Sequence, residues 1–170
     1  MLTYNNLIYE NIENNQIQLI DFNKQSIDLK LRHKLIDLIS SFQDEEKKYI
    51  PKELNNFTRQ IPGEIINSWI NNNNLLYILY DGPKEIGFCS IILDHFKFPK
   101  NVAHISYLYV VPDKRGSNLG SYLLKFAMDK TQELYPNKKN FTLNCLTANA
   151  PANNLYKKLG FKEFTGTFIR

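Results

Sequence analysis

One stretch of the chain decides the fold, and it reads Val110-Val111-Pro112-Asp113-Lys114-Arg115-Gly116-Ser117-Asn118-Leu119-Gly120. An apolar, strand-like run ends at Pro112, and from Leu119 onward the apolar residues follow the spacing of an amphipathic helix. Between them, Gly116 and Asn118 both tolerate a left-handed backbone. Because the first helical turn has unpaired N–H groups and the positive end of the helix dipole, small residues there allow a pyrophosphate to approach the backbone.

This loop matches neither of the common phosphate-binding motifs. No Gly-Lys-Ser/Thr triplet follows it, which excludes a P-loop, and its glycine spacing differs from that of dinucleotide-binding folds. An ordinary strand-to-helix turn, capped by the side chain of Ser117 or Asn118, is an alternative to an anion site. An unrelated nucleotide-binding α/β domain is a second alternative.

Around the loop, the sequence alternates between strand and helix patterns. The turn-forming residues Asp81-Gly82-Pro83-Lys84 predict a hairpin, and the run from Val102 to Val111 is apolar on both faces except at His104 and Ser106, as in a central strand. Gly160 is the expected C-cap of the last helix. Strands are predicted at 17–22, 75–80, 85–93, 102–111, 141–146 and in one or two pieces over 161–169, and helices at 26–42, near 64–71, from 119 and over 152–159. This order predicts one α/β domain over 1–170, with a mixed sheet and helices on both faces.

Composition is that of an ordinary globular protein. Hydrophobic residues are 43% and charged residues 22% of the 170, which excludes disordered and fibrous classes. The first ten residues lack a signal peptide, and the longest apolar runs are too short to span a bilayer. Cys89 and Cys145 lie in apolar runs, which favours buried free thiols and a cytoplasmic protein. The scattered histidines His33, His95 and His104 predict no metal site.

Charge is distributed unevenly along the chain. Residues 1–85 carry a net charge of −3 and residues 86–170 a net charge of +7, within a total of +4. A solvated surface with chance asymmetry is one interpretation. The other is that the second half binds an anionic cofactor and the first half meets a cationic acceptor. Nucleic acid is disfavoured as a partner, because the basic residues are dispersed rather than clustered with aromatic residues.

Two motifs resemble those of a known family. The pattern V-x-P-x-x-R-G-x-x-L-G resembles the acyl-CoA-binding motif of the GNAT superfamily of N-acyltransferases, with Asn118 where the family usually has glycine. The segment from Asn149 through Tyr156 to Gly160-Phe161 is similar to the C-terminal signature of that family, and Glu85-Ile86-Gly87-Phe88 is similar to its third strand. The resemblance covers residues 75–165.

The resemblance implies a mixed, mostly antiparallel central sheet flanked by helices, in which the strand at 102–111 diverges from the strand at 141–147. Acetyl-CoA would lie in that opening as cosubstrate, and no metal is implied. The backbone of Leu108, Tyr109 and Val110 would contact the pantetheine, and Asn149 would lie beside it. Tyr156 would be the general acid and a further cofactor contact. The pyrophosphate would be held by Arg115, Gly116, Ser117, Asn118, Leu119 and Gly120.

The acceptor and the base are less constrained by the sequence. By resemblance, the first two helices and their loop wall the acceptor site, and Asp44, Glu45 and Glu46 there would attract a cationic small-molecule or peptide amine. A solvated loop is the alternative. His104 is the one group on the central strand that titrates near neutrality, but a lone strand histidine is typically structural, so no base is assigned. Core packing is expected for Cys145.

Two further expectations concern activity and assembly. The sequence favours an acetyltransferase that acts on a primary amine. A catalytically inactive CoA-binding or sensor domain is the alternative, because the central strand has no carboxylate and Asn118 departs from the family pattern. A homodimer, in which a partner subunit completes the last strand, is left open.

Overall fold

The computed structural model describes residues 8–12, 15–52 and 60–163. They form a six-stranded sheet whose strands follow one another in chain order. The strands are β1 (Ile8–Ile12), β2 (Asn15–Asp21), β3 (Leu75–Asp81), β4 (Lys84–Ile92), β5 (Val102–Val110) and β6 (Asn140–Leu143). The helices are α1 (Leu29–Glu46), α2 (Pro62–Asn71), α3 (Leu119–Leu134) and α4 (Ala150–Lys158), with short 3-10 turns at Lys47–Tyr49 and Pro112–Lys114.

The sheet is mixed and mostly antiparallel, as the sequence and the family resemblance predicted. Strands β1 to β5 pair antiparallel with their neighbours, and β6 pairs parallel with β5. Apolar side chains on the two sheet faces form two separate cores. The core under α1 and α2 includes Leu35, Ile39, Ile66, Trp69, Ile78 and Phe88. The core under α3 and α4 includes Leu79, Ile86, Ile91, Ile105, Leu123 and Leu124. Each such side chain, fully buried, stabilises the fold by about 1.5–3 kcal/mol.

An extra residue in β5 lies where the pairing of β5 with β6 ends. Ile91 pairs with Ile105 and Ser90 pairs with Tyr107, which leaves Ser106 as the bulged residue. The Ser106 hydroxyl donates to the Ser90 carbonyl over 3.2 Å. The pairing of β5 with β6 ends one residue before the bulge, at Ile105 with Leu143. Because a bulge bends and twists its strand, we expect β5 to diverge here from the chain that follows β6, and we call the unpaired region between residues 106–110 and 144–147 the β5–β6 gap.

Gly87 allows β4 and β5 to approach closely at the end of the gap. A Cβ atom on Gly87 would lie 2.5 Å from the Tyr109 carbonyl oxygen, which is backbone and cannot rotate away. We therefore expect Gly87→Ala to lower the free energy of unfolding by about 1–3 kcal/mol. Chemical denaturation measures this change. Gly63→Ala is the matched control, since a Cβ there meets only the Arg32 side chain at 4.0 Å, and equal losses in the two variants would contradict the prediction.

Several predicted boundaries are wrong. Helix α1 continues through Glu46, beyond the predicted end at Phe42, because its polar last turn is supported by i,i+3 ion pairs of Lys47 and Lys48. Strand β6 ends at Leu143 rather than at 146, so Cys145 lies beyond it. Strand β1 was not predicted at all. Residues 161–163 are not a strand, and the rest of the predicted 161–169 segment lies outside the described residues.

Two kinds of feature are absent from the described residues. Within the described ranges, no helix combines the length and apolar character needed to cross a bilayer. The same ranges bring no group of three or more His, Cys, Asp or Glu side chains together in a way that could hold a metal ion.

Candidate active site

The loop before α3 has a left-handed backbone at two positions and no side-chain cap. Gly116 has φ +87° and Asn118 has φ +62°, so both occupy the left-handed region that their residue types permit. Asn118 is the N-cap of α3, yet its side chain makes no capping hydrogen bond. The Ser117 hydroxyl instead donates to the Lys114 carbonyl, 3.0 Å away. An ordinary turn capped by Ser117 or Asn118 is therefore not what forms, and the first amides of α3 can meet an anion.

Leu119 and Gly120 hold this loop against the sheet. Leu119 begins α3 and is buried in the core under α3 and α4. A Cβ on Gly120 would lie 3.2 Å from a Leu155 methyl group of α4 and 4.0 Å from a Val110 methyl group. The absence of a side chain at Gly120 thus serves close packing of α3 on α4 and β5.

The Arg115 side chain is held at the other side of the loop. Its Nε donates to the Val110 carbonyl over 2.8 Å, and its Nη1 lies 3.1 Å from a carboxylate oxygen of Glu45. The guanidinium also lies 5.5 Å from the centre of the Tyr109 ring. Arg115 therefore ties the end of β5 to the last turn of α1. Its contact with a pyrophosphate stays a prediction.

The predicted pantetheine contacts lie along the open edge of β5. Leu108, Tyr109 and Val110 pair with β4 on one side, and the chain after β6 has already left them on the other. Leu108 and Val110 face the core under α3 and α4, whereas Tyr109 faces the core under α1 and α2. A strand edge of this kind can bind the amides of an extended ligand as another strand would.

Tyr156 is fixed by the end of its own helix. The Gly160 N–H donates to the Lys157 carbonyl and the Phe161 N–H to the Tyr156 carbonyl, and Gly160 has φ +86°. These two bonds are a Schellman motif, and the Phe161 ring packs edge-on against Tyr156 with centroids 6.0 Å apart. The spacing of Tyr156 to Gly160-Phe161 therefore has a structural reason, since the cap orients the tyrosine.

The surroundings of Tyr156 keep its phenol protonated. Burial raises the pKa of Tyr156 well above its ordinary value, and the nearby thiols of Cys145 and Cys89 add to the rise. Cys89 pairs with Leu108 across β4 and β5, and Cys145 lies on the far side of the β5–β6 gap. The phenol is thus close to both walls of the gap and available as a proton donor.

Asn149 caps the N-terminus of α4, a structural role that was not predicted from the sequence. It is the N-cap of α4, and its side-chain oxygen accepts from the Ala152 N–H at 3.2 Å. Its position just after the chain that borders the gap agrees with the predicted place beside the pantetheine, and that contact stays a prediction. The cap fixes the start of the helix that carries Tyr156.

We expect Asn149→Ala to lower the free energy of unfolding by about 1 kcal/mol, because one helix N–H loses its acceptor. Asn149→Asp retains an oxygen at the same place and is expected to retain most of the stability. Thermal unfolding of the two variants measures the difference. Equal destabilisation by Ala and Asp would show that the cap is not the source of the effect.

His104 and Cys145 have no sign of a catalytic role of their own. His104 is buried, its Nδ1 lies 3.0 Å from the Thr142 hydroxyl, and burial followed by the charge of His95 lowers its pKa to about 4. It lies within the paired part of β5, before the gap. Cys145 is only half-buried, unlike the fully buried Cys89, and burial raises its pKa, so the thiol stays protonated.

The acidic residues near the end of α1 lie on the helix and differ from one another. The Asp44 carboxylate pairs with Lys47 at 3.0 Å. The pKa of Glu45 is lowered, first by a hydrogen bond from Lys48 and then by one from Arg115. The pKa of Glu46 is raised by burial. Sequence reasoning placed all three in a loop and could not separate them, because the difference arises from their contacts.

Polar residues of α1, β5 and the segment before α2 meet beside the gap, and no sequence pattern predicted this grouping. The Gln43 side-chain N–H donates to the Gln60 carbonyl at 2.8 Å, and the Tyr107 hydroxyl donates to the Gln60 side-chain oxygen at 3.3 Å. The Phe42 ring packs edge-on against Tyr107 at 5.5 Å. The group joins the last turns of α1 to the open part of β5.

Comparisons with known proteins agree on one family. The statistical model of the Acetyltransferase (GNAT) family matches residues 36–161. An N-alpha-acetyltransferase of Sulfurisphaera tokodaii is 40% identical over 60 residues, which is 35% of this chain and 35% of that protein. The match thus spans about a third of that relative's length.

Solved structures share the fold at low sequence identity. An aminoglycoside acetyltransferase from an uncultured soil metagenomic sample has a TM-score of 0.65 at 17% identity, covering 92% of this chain and 95% of that one. A ribosomal-protein-alanine N-acetyltransferase from Brucella melitensis has a TM-score of 0.63 at 15% identity, covering 92% and 99%. A predicted acetyltransferase from Clostridium acetobutylicum, solved with acetyl-CoA, has a TM-score of 0.60 at 16% identity, covering 92% and 95%.

Proposed function

The chain belongs to the Acetyltransferase (GNAT) family, and we propose that it transfers the acetyl group of acetyl-CoA to a primary amine by direct attack on the thioester. The observation that carries the proposal is the β5–β6 gap with the protonated phenol of Tyr156 beside it. A gap at a strand edge suits an extended pantetheine, and the phenol suits a thiolate leaving group.

The residues present fit the diphosphate of acetyl-CoA. The left-handed Gly116 and Asn118 turn the chain before α3, and a Cβ at Gly116 would meet nothing within 4 Å. An anion can therefore reach the uncapped amides at the start of α3. The basic second half of the chain favours such a ligand. In our proposal, the excess of basic residues in the second half of the chain serves to bind this anionic cofactor.

The acetyl group would be polarised by the open edge of β5. A backbone N–H among residues 108–110 would donate to the thioester oxygen as it gains negative charge. One such donor contributes about 3 kcal/mol to stabilising a transition state. Tyr156 would then give its proton to the departing sulfur, because a buried phenol holds its proton at neutral pH.

The acceptor is proposed to be a primary amine that carries a positive charge. The proteins with which this chain shares sequence or fold include an N-alpha-acetyltransferase, an aminoglycoside acetyltransferase and a ribosomal-protein-alanine N-acetyltransferase. All of these acceptors are amines. The carboxylates at the end of α1, next to the gap, support a cationic one.

A thiol-release assay with a panel of amines tests the proposed function. Purified protein is mixed with acetyl-CoA and, separately, a polyamine, an aminoglycoside, lysine and peptides with free N-termini, and free CoA is measured over time. We expect amine-dependent release of CoA for at least one class. Binding of acetyl-CoA without turnover on any amine would instead support an inactive CoA-binding or sensor domain.

A further inference from the structure

We propose that Glu46 accepts the proton of the acceptor ammonium and that the Gln43 side-chain oxygen holds that ammonium beside it. The inference rests on the proposed function and deepens it, because it assigns the base that the sequence left open. It places the base on α1, across the gap from Tyr156. Four features of the structure support it, and each follows from contacts of the described residues.

The carboxylates at the end of α1 have different partners. Asp44 is paired with Lys47, and Glu45 is paired with both Lys48 and Arg115. The Glu46 side chain makes no ion pair and no hydrogen bond with any residue in the described ranges, and the residue is partly buried. Burial raises the pKa of Glu46 above its ordinary value, and a carboxylate with a raised pKa is a stronger base.

Glu46 lies on the acceptor side of the gap. Phe42, one turn earlier on the same face of α1, packs against Tyr107 on the open part of β5. The Glu46 carboxylate is close enough to Tyr107 and Cys145 that its charge adds to the rise in both pKa values, after burial. These two residues lie on the two walls of the β5–β6 gap. Glu46 therefore faces the gap from the side of α1.

Tyr156 meets the same gap from the other side of the sheet. The thiol of Cys145 influences the pKa of Tyr156, as the charge of Glu46 influences that of Cys145. Tyr156 packs in the core under α3 and α4, whereas Phe42 and Tyr107 pack in the core under α1 and α2. A thioester in the gap would thus have a base, Glu46, on one face and an acid, Tyr156, on the other. The surroundings of each group favour the role that it is proposed to play.

Gln43 supplies the second group. It is 7% exposed, and its side-chain oxygen is buried without a hydrogen-bond partner among the described residues. The oxygen and nitrogen of the Gln43 amide cannot exchange places by a flip of the amide group. The nitrogen donates to the Gln60 carbonyl at 2.8 Å, and an oxygen in its place would face another oxygen. Leaving a buried acceptor unpaired is costly. An ammonium group beside Glu46, three residues further along the helix, would satisfy that oxygen.

The proposed step balances in protons and bonds. Glu46 takes one proton from the acceptor ammonium, and the neutral amine nitrogen forms a bond to the thioester carbonyl carbon. The nitrogen loses a second proton to water, the carbon–sulfur bond breaks, and the sulfur takes the proton of Tyr156. Tyr156 is reprotonated from water and Glu46 returns its proton to water. The products are the acetylated amine, CoA and one released proton.

The test compares Glu46→Gln with Asp37→Asn, an exposed carboxylate more than two turns earlier on the same helix. For an amine that the wild-type protein acetylates, we expect kcat/KM at pH 7 to fall about 10²-fold or more in Glu46→Gln and to stay near wild type in Asp37→Asn. The affinity for acetyl-CoA, measured by calorimetry, should be unchanged in both. We expect Gln43→Leu to raise KM for the amine roughly tenfold.

The pH profile separates a base from a residue needed only for folding. Because Glu46 accepts a proton only when ionised, wild-type kcat/KM should rise with pH through the pKa of Glu46 and then level off. In Glu46→Gln the rise should instead continue to the pKa of the amine itself. The other titratable or charged groups around Glu46 are Tyr107, Cys145, Glu45, Lys47 and Lys48, and the variant retains all of them. Glu46→Asp should restore the wild-type shape of the profile at a lower rate.

Two results would be decisive against the inference. If Glu46→Gln acetylates the amine with wild-type kcat/KM and a wild-type pH profile, Glu46 is not the base, and the proposed function stands. If the wild-type protein transfers acetyl groups to no amine, the proposed function and this inference both fail.

Discussion

Tyr156→Phe is expected to lower kcat by about 10²- to 10⁴-fold while KM for acetyl-CoA changes little. The substitution removes one hydroxyl, so the departing sulfur loses its proton donor, and general acids contribute rate factors of that size. The packing of the ring against Phe161 and the cap of α4 remain available to phenylalanine. The measurement is the steady-state rate of CoA release with saturating amine.

The control for Tyr156→Phe is Tyr135→Phe. The Tyr135 hydroxyl donates to Asp21 at 2.9 Å, at the end of α3, outside the proposed site. Its loss is expected to cost about 1 kcal/mol of stability and none of the rate. Because burial raises the pKa of Tyr156, we also expect no fall of wild-type kcat from ionisation of this phenol below about pH 10. A Tyr156→Phe variant with wild-type kcat would contradict the assigned role.

Gly116→Asp is expected to weaken acetyl-CoA binding by about 10²-fold. A carboxylate there would face the diphosphate, and placing like charges together costs several kcal/mol. Asp and Asn tolerate the left-handed backbone better than other side chains, and a Cβ at Gly116 meets nothing within 4 Å. The loop should therefore keep its shape in both Gly116→Asp and Gly116→Asn.

Comparison of these two variants isolates the charge. Gly116→Asn has nearly the same size and backbone preference, so its dissociation constant for acetyl-CoA should rise only a few-fold. Calorimetric titration gives both constants, and thermal unfolding shows whether the two variants are equally stable. Equal affinity in the Asp and Asn variants would mean that no anion lies beside this loop.

The parts of the site that depend on short, local sequence were predictable. The change from strand to helix around Pro112, together with Gly116 and Asn118, predicted a left-handed loop before a helix, and that is what forms. The spacing from Tyr156 to Gly160 and Phe161 is also local, because one helix turn and its cap contain all of it. Such features need no knowledge of distant contacts.

The parts that depend on tertiary contacts were not predictable. Glu45 and Glu46 are adjacent and chemically identical, yet Glu45 pairs with Lys48 and, from another segment, with Arg115, whereas burial raises the pKa of Glu46. The end of β6 is set by the bulge at Ser106 of the neighbouring strand. The contacts of Arg115 with Glu45 and Val110 likewise arise from packing. From the sequence, Arg115 was predicted only to contact the pyrophosphate.

A crystal structure of the protein with bound CoA would show directly where the cofactor binds. We predict the diphosphate on the backbone amides of residues 116–120, the pantetheine in the β5–β6 gap and the sulfur within hydrogen-bonding distance of the Tyr156 hydroxyl. A sulfur atom away from Tyr156, or a pantetheine bound outside the gap, would contradict this prediction.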